Sequence, residues 1–228
     1  MRLIGAVQGA AGFRESHEEY VPERGVDHRD LIELVKGTYD FQAFPNLPPG
    51  TPPPPVLNFI GGRLPTKDGP HIAIGSLLMG QEGDVVIATN TDLADVVLED
   101  LMRLLDENLG FRLRESRKTK SYVSNVVVEF DRGLEEYFGA LSRIIDVINA
   151  ARRGKPLFNI KQIGFGARAV PLSAGEPIAT IEEAEFLIER RAGHAFEENR
   201  YFCSAPLTTA EHVRVLEQIE AIARDEAN

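Results

Sequence analysis

The sequence predicts an α+β fold: a mostly antiparallel sheet with amphipathic helices packed on one face, preceded by a proline-rich N-terminal arm. Three observations carry this. Strand-like segments come in pairs, as in 72–79 and 84–89 across the turn GQEG. The pairs are followed by segments whose apolar residues recur at three- and four-residue steps, the period of a helix with one buried face. The tract PNLPPGTPPPP at 45–55 cannot run as a helix or a central strand, because proline lacks the amide proton and fixes φ. A doubly wound parallel sheet would instead alternate single strands with single helices.

Residues 1–26 show no clean period. Asp27 is placed to cap a short helix over 28–36, with Leu31, Leu34 and Val35 as its stripe and Gly37 as its stop. Pro52 to Pro55 predict polyproline II, extended and stiff. The tract reads as a strap linking residues 1–55 to the main domain, or as a ligand for an aromatic-lined groove. On this reading 1–55 form the arm and 56–228 a single α+β domain.

The rest follows in three rounds. Residues 55–64 predict a strand broken by Gly61 and Gly62, and the hairpin 72–89 follows it. A helix over 92–109 buries Leu93, Val97, Leu101, Leu104 and Leu105, with Asn90, Thr91 and Asp92 offering its cap and Gly110 its stop. Residues 111–117 and 122–130 predict a second hairpin. Asp131 then caps a helix from 132 to about 152, with Leu134, Phe138, Leu141, Ile145 and Ile148 as its stripe. Residues 157–165 and 185–191 predict further strands around a loop with Pro171, Gly175 and Pro177. Thr208 and Glu211 have the spacing of a capping box, so the last helix starts after Thr208, with Val213, Leu216, Ile219 and Ala223 inward.

Composition narrows function by exclusion. A single cysteine in 228 residues permits no internal disulfide and no site of several thiolates, and it fits a reducing compartment. No run of about 18 apolar residues occurs, so no membrane-spanning helix is expected. The start lacks a long apolar region, which argues for the cytoplasm over secretion. A formal charge of -10 suits nucleic acid poorly, since phosphate neutralisation supplies most of that affinity. The local exception is Arg112, Arg114, Arg117, Lys118 and Lys120. These read as a solvated strand edge, or as a contact for an anion or an acidic partner.

The stretch HAFEENRYFCSAPL, 194–207, is the densest in chemistry. Cys203 with His194 and Glu197 would make a nucleophile, a base and its orienter, provided the thiol pKa is lowered. The plainer reading makes Cys203 a small buried hydrophobe. Arg200, Tyr201 and Phe202 are residue types that dominate protein interfaces, or else anchors of a long loop. IGFGAR, 163–168, offers Arg168 to an anion but lacks a phosphate-loop pattern. The histidines are scattered. Asp92, Asp95 and Glu99 share a helix face, as on any polar face. No metal or cofactor is expected.

The expectation is therefore a non-catalytic structural subunit or adaptor that works through a protein partner or self-association. The alternative is a small-molecule-binding protein or hydrolase with its site near the 163–177 and 194–207 loops.

Overall fold

The chain runs β1 (Arg2–Phe13), α1 (His28–Tyr39), β2 (Val56–Leu64), β3 (Ile72–Gly80), β4 (Gly83–Ala88), α2 (Thr91–Leu109), β5 (Lys120–Glu129), α3 (Leu134–Tyr137), α4 (Gly139–Ala151), β6 (Gln162–Phe165), β7 (Phe186–Arg190), β8 (Arg200–Ala205) and α5 (Thr209–Glu226). These elements come from a computed structural model describing residues 1–13, 21–22, 25–66, 69–80, 83–111, 120–151, 159–166 and 185–226. The strands form one eight-stranded sheet in the order β2-β3-β4-β1-β5-β8-β7-β6, and every pairing with a described register is antiparallel. This is an α+β fold. Among the described residues no helix is long and apolar enough to cross a membrane.

The chain divides into two compact units, one of Val7–Ser124 and one of Met1–Ala6 with Asn125–Asn228. In the first unit, β2, β3 and β4 form a meander and β4 returns beside β1, with Ala11 opposite Val86 and Phe13 opposite Asp84. Side chains alternate across a strand, so one face collects Leu57, Phe59, Ile74, Leu77, Met79 and Val86. They join Leu31, Ile32, Val35 and Tyr39 of α1 and Val97, Leu98, Leu101 and Leu105 of α2 in one core. Each such side chain contributes roughly 1.5–3 kcal/mol by leaving water. The Asn90 side chain caps α2 by accepting the Leu93 N–H at 2.9 Å, and Gly110 ends it at φ 72, as the sequence indicates. Gly37 does not stop α1. The helix runs on to Tyr39, whose buried ring packs on Phe41, and it ends at Asp40 in the left-handed region at φ 49.

Residues 1–55 are not an arm ahead of the fold. Arg2–Phe13 is a strand paired with β4, and α1 buries its apolar stripe in the core. The proline tract is an exposed connection between α1 and β2, held at its start by antiparallel bonds between Ala43 and Ile60. The compact units therefore divide at 6/7 and 124/125 rather than at 55.

In the second unit, Val126, Val128 and Phe130 pack with Ile188 of β7, Tyr201 and Cys203 of β8, Leu134 of α3 and Leu216 of α5. The predicted helix over 132–152 is two helices. Phe138 leaves helical geometry at φ -118 and ψ 73, and Gly133 rather than Asp131 precedes the first turn. The Thr208–Glu211 capping box is present, with the Glu211 N–H donating to Thr208 Oγ at 3.3 Å and Thr208 N–H to Glu211 at 3.3 Å.

The expected three rounds of strands and helix resolve into two. Each unit reads strand, helical stretch, three-stranded meander, helix, and in each the last meander strand neighbours the first strand.

Candidate functional site

The stretch at 194–207 is a turn and a strand rather than one long loop. Gly193 at φ 81 and Asn199 at φ 48 supply left-handed corners, and Phe196–Glu198 forms a 3-10 turn between them. Arg190 fastens this turn. It donates to the Phe196 carbonyl at 2.5 Å and to Glu135 at 3.2 Å, and its guanidinium lies 3.4 Å over the Phe196 ring and 5.0 Å from that of Tyr201. The buried Tyr201 hydroxyl accepts the Leu134 N–H at 3.1 Å, tying β8 to the start of α3.

Beyond the turn lies a cleft of about 600 Å³ lined by Arg2, Glu129, Phe130, Asp131, Glu197, Glu198, Asn199 and Arg200. Its wall is a ladder of alternating charges. Arg2 pairs with Glu129 at 2.8 Å, Arg200 reaches Glu129 and Glu198 at 3.3 Å each, and His194 Nδ1 lies 3.0 Å from Glu198 and 3.4 Å from Arg200. The hydrogen bond from Arg2, with help from Arg200, holds the Glu129 carboxyl below its usual range. The His194 bond, then the Ala195 amide, do the same for Glu198. At Asp131 burial opposes ionisation, but the Met1 α-ammonium and Arg224 outweigh it and keep that carboxyl low. The nearly buried Glu220 accepts the Asp131 N–H at 3.0 Å and pairs with Arg224 at 3.1 Å and with the Met1 ammonium. Glu197 is exposed and has no ion-pair partner among the described residues. The cleft therefore offers fixed negative charge, with both arginines already engaged by carboxylates.

The catalytic set read from the sequence does not assemble. Tyr201, Cys203 and Ala205 are buried on one face of β8, whereas Arg200, Phe202 and Ser204 lie on the other. His194 engages Arg200 and Glu198, and Glu197 lines the cleft. Cys203 packs in the apolar core, where burial pushes its thiol up to about 12, the reverse of what a nucleophile needs. Of the expected partner-binding residues, Arg200 lines the cleft, Tyr201 is core and Phe202 is half-buried. Arg112, Arg114, Arg117 and Arg168 lie outside the described residues, as does most of the 163–177 loop. On α2, Asp95 and Glu99 hold the Lys120 ammonium at 2.8 and 2.5 Å, and no metal-ligand cluster occurs among the described residues. No protein-family model and no curated protein matches this chain.

A second feature escaped the periodicity. None of the described side chains of α4 is buried, yet the helix presents Leu141 at 36%, Ile144 at 54%, Val147 at 69% and Ile148 at 43% exposure. The signal was there in the width of the stripe. Leu141, Ile144, Ile145, Val147 and Ile148 span more of the helix circumference than one core-facing side requires. Arg2, Glu129 and Asp131 carried no comparable signal, because only the pairing of distant strands brings them to the cleft.

Proposed function

We propose that this chain is a non-catalytic structural or adaptor protein of the cytoplasm, and that it docks a protein partner on the outer face of α4. The exposed apolar helix carries this reading. Large apolar side chains clustered on a surface helix cost solubility unless a partner covers them. The charged ladder of the cleft fits the same role as a rigid support, since its arginines and carboxylates neutralise one another. The single buried thiol agrees with a reducing compartment.

A photo-crosslinking residue at position 147 tests this. It should yield protein adducts on irradiation in an extract of the source cells, and the same residue at Glu107, exposed on α2, should yield none. Equal labelling at the two positions, or none at 147, would sink the docking reading.

The cleft favours a second reading, a small-molecule-binding protein. The uncompensated Glu197 and the ionised Glu129 and Glu198 suit an organic cation. Thermal-shift measurements with small amines on the wild type and on Glu197→Gln separate the two, because a cleft ligand loses its shift in the variant and an α4 partner does not.

A further inference from the structure

We propose that the partner on α4 is a second copy of this chain, packed as an antiparallel helix pair about a two-fold axis close to Ile145. This rests on the docking reading above and names its occupant.

The argument comes from the order of residues in GALSRIIDVINAA. Ile144, Val147 and Ala151 lie at three- and four-residue steps along the outer side of the helix, and Val147 and Ile144 are its most exposed large side chains. An antiparallel pair sets Ile144 of each copy level with Val147 of the other, so the seam is apolar from both sides. Leu141 and Ile148 border the seam on one flank, where those of the two copies meet. Arg143 and Ala150 border it on the other, with Asp146 just outside. Because Ala150 is small, Arg143 can cross it to reach Asp146 of the second copy, and the two-fold axis makes that pair twice.

Charge decides the direction. Arg143 and Asp146 are the only charged residues of α4, both are exposed, and neither has a partner among the described residues. A parallel two-fold pair would put the two copies of Arg143 on opposite flanks of the seam, each beside Leu141 and Ile148 of the other copy, and would leave both charges without a complement. The antiparallel pair sets opposite signs together and opposes the helix dipoles. A partner of strong net charge would find no complement here, whereas the helix complements itself. One pair of thirteen-residue helices is small for a protein interface, so association should be reversible, with a dissociation constant on the order of micromolar or weaker.

Sedimentation velocity of the full chain, from about 1 to about 500 μM, tests this. The expected result is a mass rising from monomer to dimer with concentration. Val147→Asp should keep the chain monomeric throughout. Arg143→Asp alone and Asp146→Arg alone should each weaken association about tenfold, and the double exchange should restore it, because the pair is then reversed rather than lost. A chain monomeric over the whole range overturns the proposal. So does a dimer indifferent to Val147→Asp, or a double exchange no better than the single ones. The crosslinker at 147 keeps the two readings apart. Adducts to a foreign protein from a monomeric chain leave docking standing and remove the second copy, whereas no adduct at all removes both.

Discussion

Cys203 shows how one residue can be visible in a sequence while its role is not. Its neighbours made a reactive centre conceivable, and spacing alone could not say that Arg200 and Cys203 face opposite sides of a strand. With its thiol pushed up to about 12 by burial, Cys203 should resist a thiol reagent in the native chain at pH 8 and react fully once denatured. Rapid native labelling would contradict the buried placement. The same shift predicts an alkaline weakness. The unfolded thiol ionises near its ordinary 9.0 while the folded one stays protonated to about 12. Between those values the unfolded state binds fewer protons, so this contribution is complete below pH 9 and falls as pH rises through the window. His194 was expected as the base beside Cys203 and instead sits in the charged turn. Its partners Glu198 and Arg200 were near in sequence, but Glu129 and Arg2 were not, and a single sequence has no way to bring residues 2, 129 and 200 together.

At the scale of elements, the helices and hairpins with strong periods and caps were legible: α1, α2, α5 and the β3–β4 pair. β1 and β8 were not. In β1 the run GAVQGAAG offers small residues of weak strand preference, and the strand exists because β4 pairs with it and α2 starts against it. In β8 the alternation Arg200, Tyr201, Phe202, Cys203 mixes apolar residues onto both faces and hides the period of two. The reason for the small residues in β1 is now testable. A Cβ on Gly9 would collide with the backbone of Asn90 and Thr91 at the start of α2, whereas a Cβ on Gly5 would meet nothing within 4 Å. Gly9→Ala should lose about 3 kcal/mol in chemical denaturation and Gly5→Ala less than about 0.5 kcal/mol. Equal effects would mean that the glycines of β1 serve only its backbone. For α4, the periodicity showed a helix, but of its expected inward stripe Leu141 and Ile148 are exposed and Ile145 is half-buried, and the break at Phe138 carried no signal in the period.

For the molecule as a whole, the α+β class and the antiparallel hairpins were readable, but the division of the chain was not, because each unit takes part of β1 and part of β5. Glu129, Asp131, Glu198 and Glu211, whose ionised forms the structure favours, all belong to the unit of Met1–Ala6 and Asn125–Asn228. Lowered carboxyls contribute stability that is complete above their ordinary values and lost as pH falls through the lowered ones. Acidification from pH 6 to pH 3 should therefore open β8 and α5 to hydrogen exchange ahead of β3 and β4, after correction for intrinsic rates. The opposite order would place the acid-sensitive contacts elsewhere. The split membership of β1 also bears on birth at the ribosome. Val7–Ser124 can close on itself as soon as it emerges. Met1–Ala6 must wait for strands made roughly 120 residues later, on the order of ten seconds at ordinary translation speeds. Through that interval the backbone of Met1–Ala6 lacks the strand it lies beside in the finished sheet, so one strand is completed in two separate instalments.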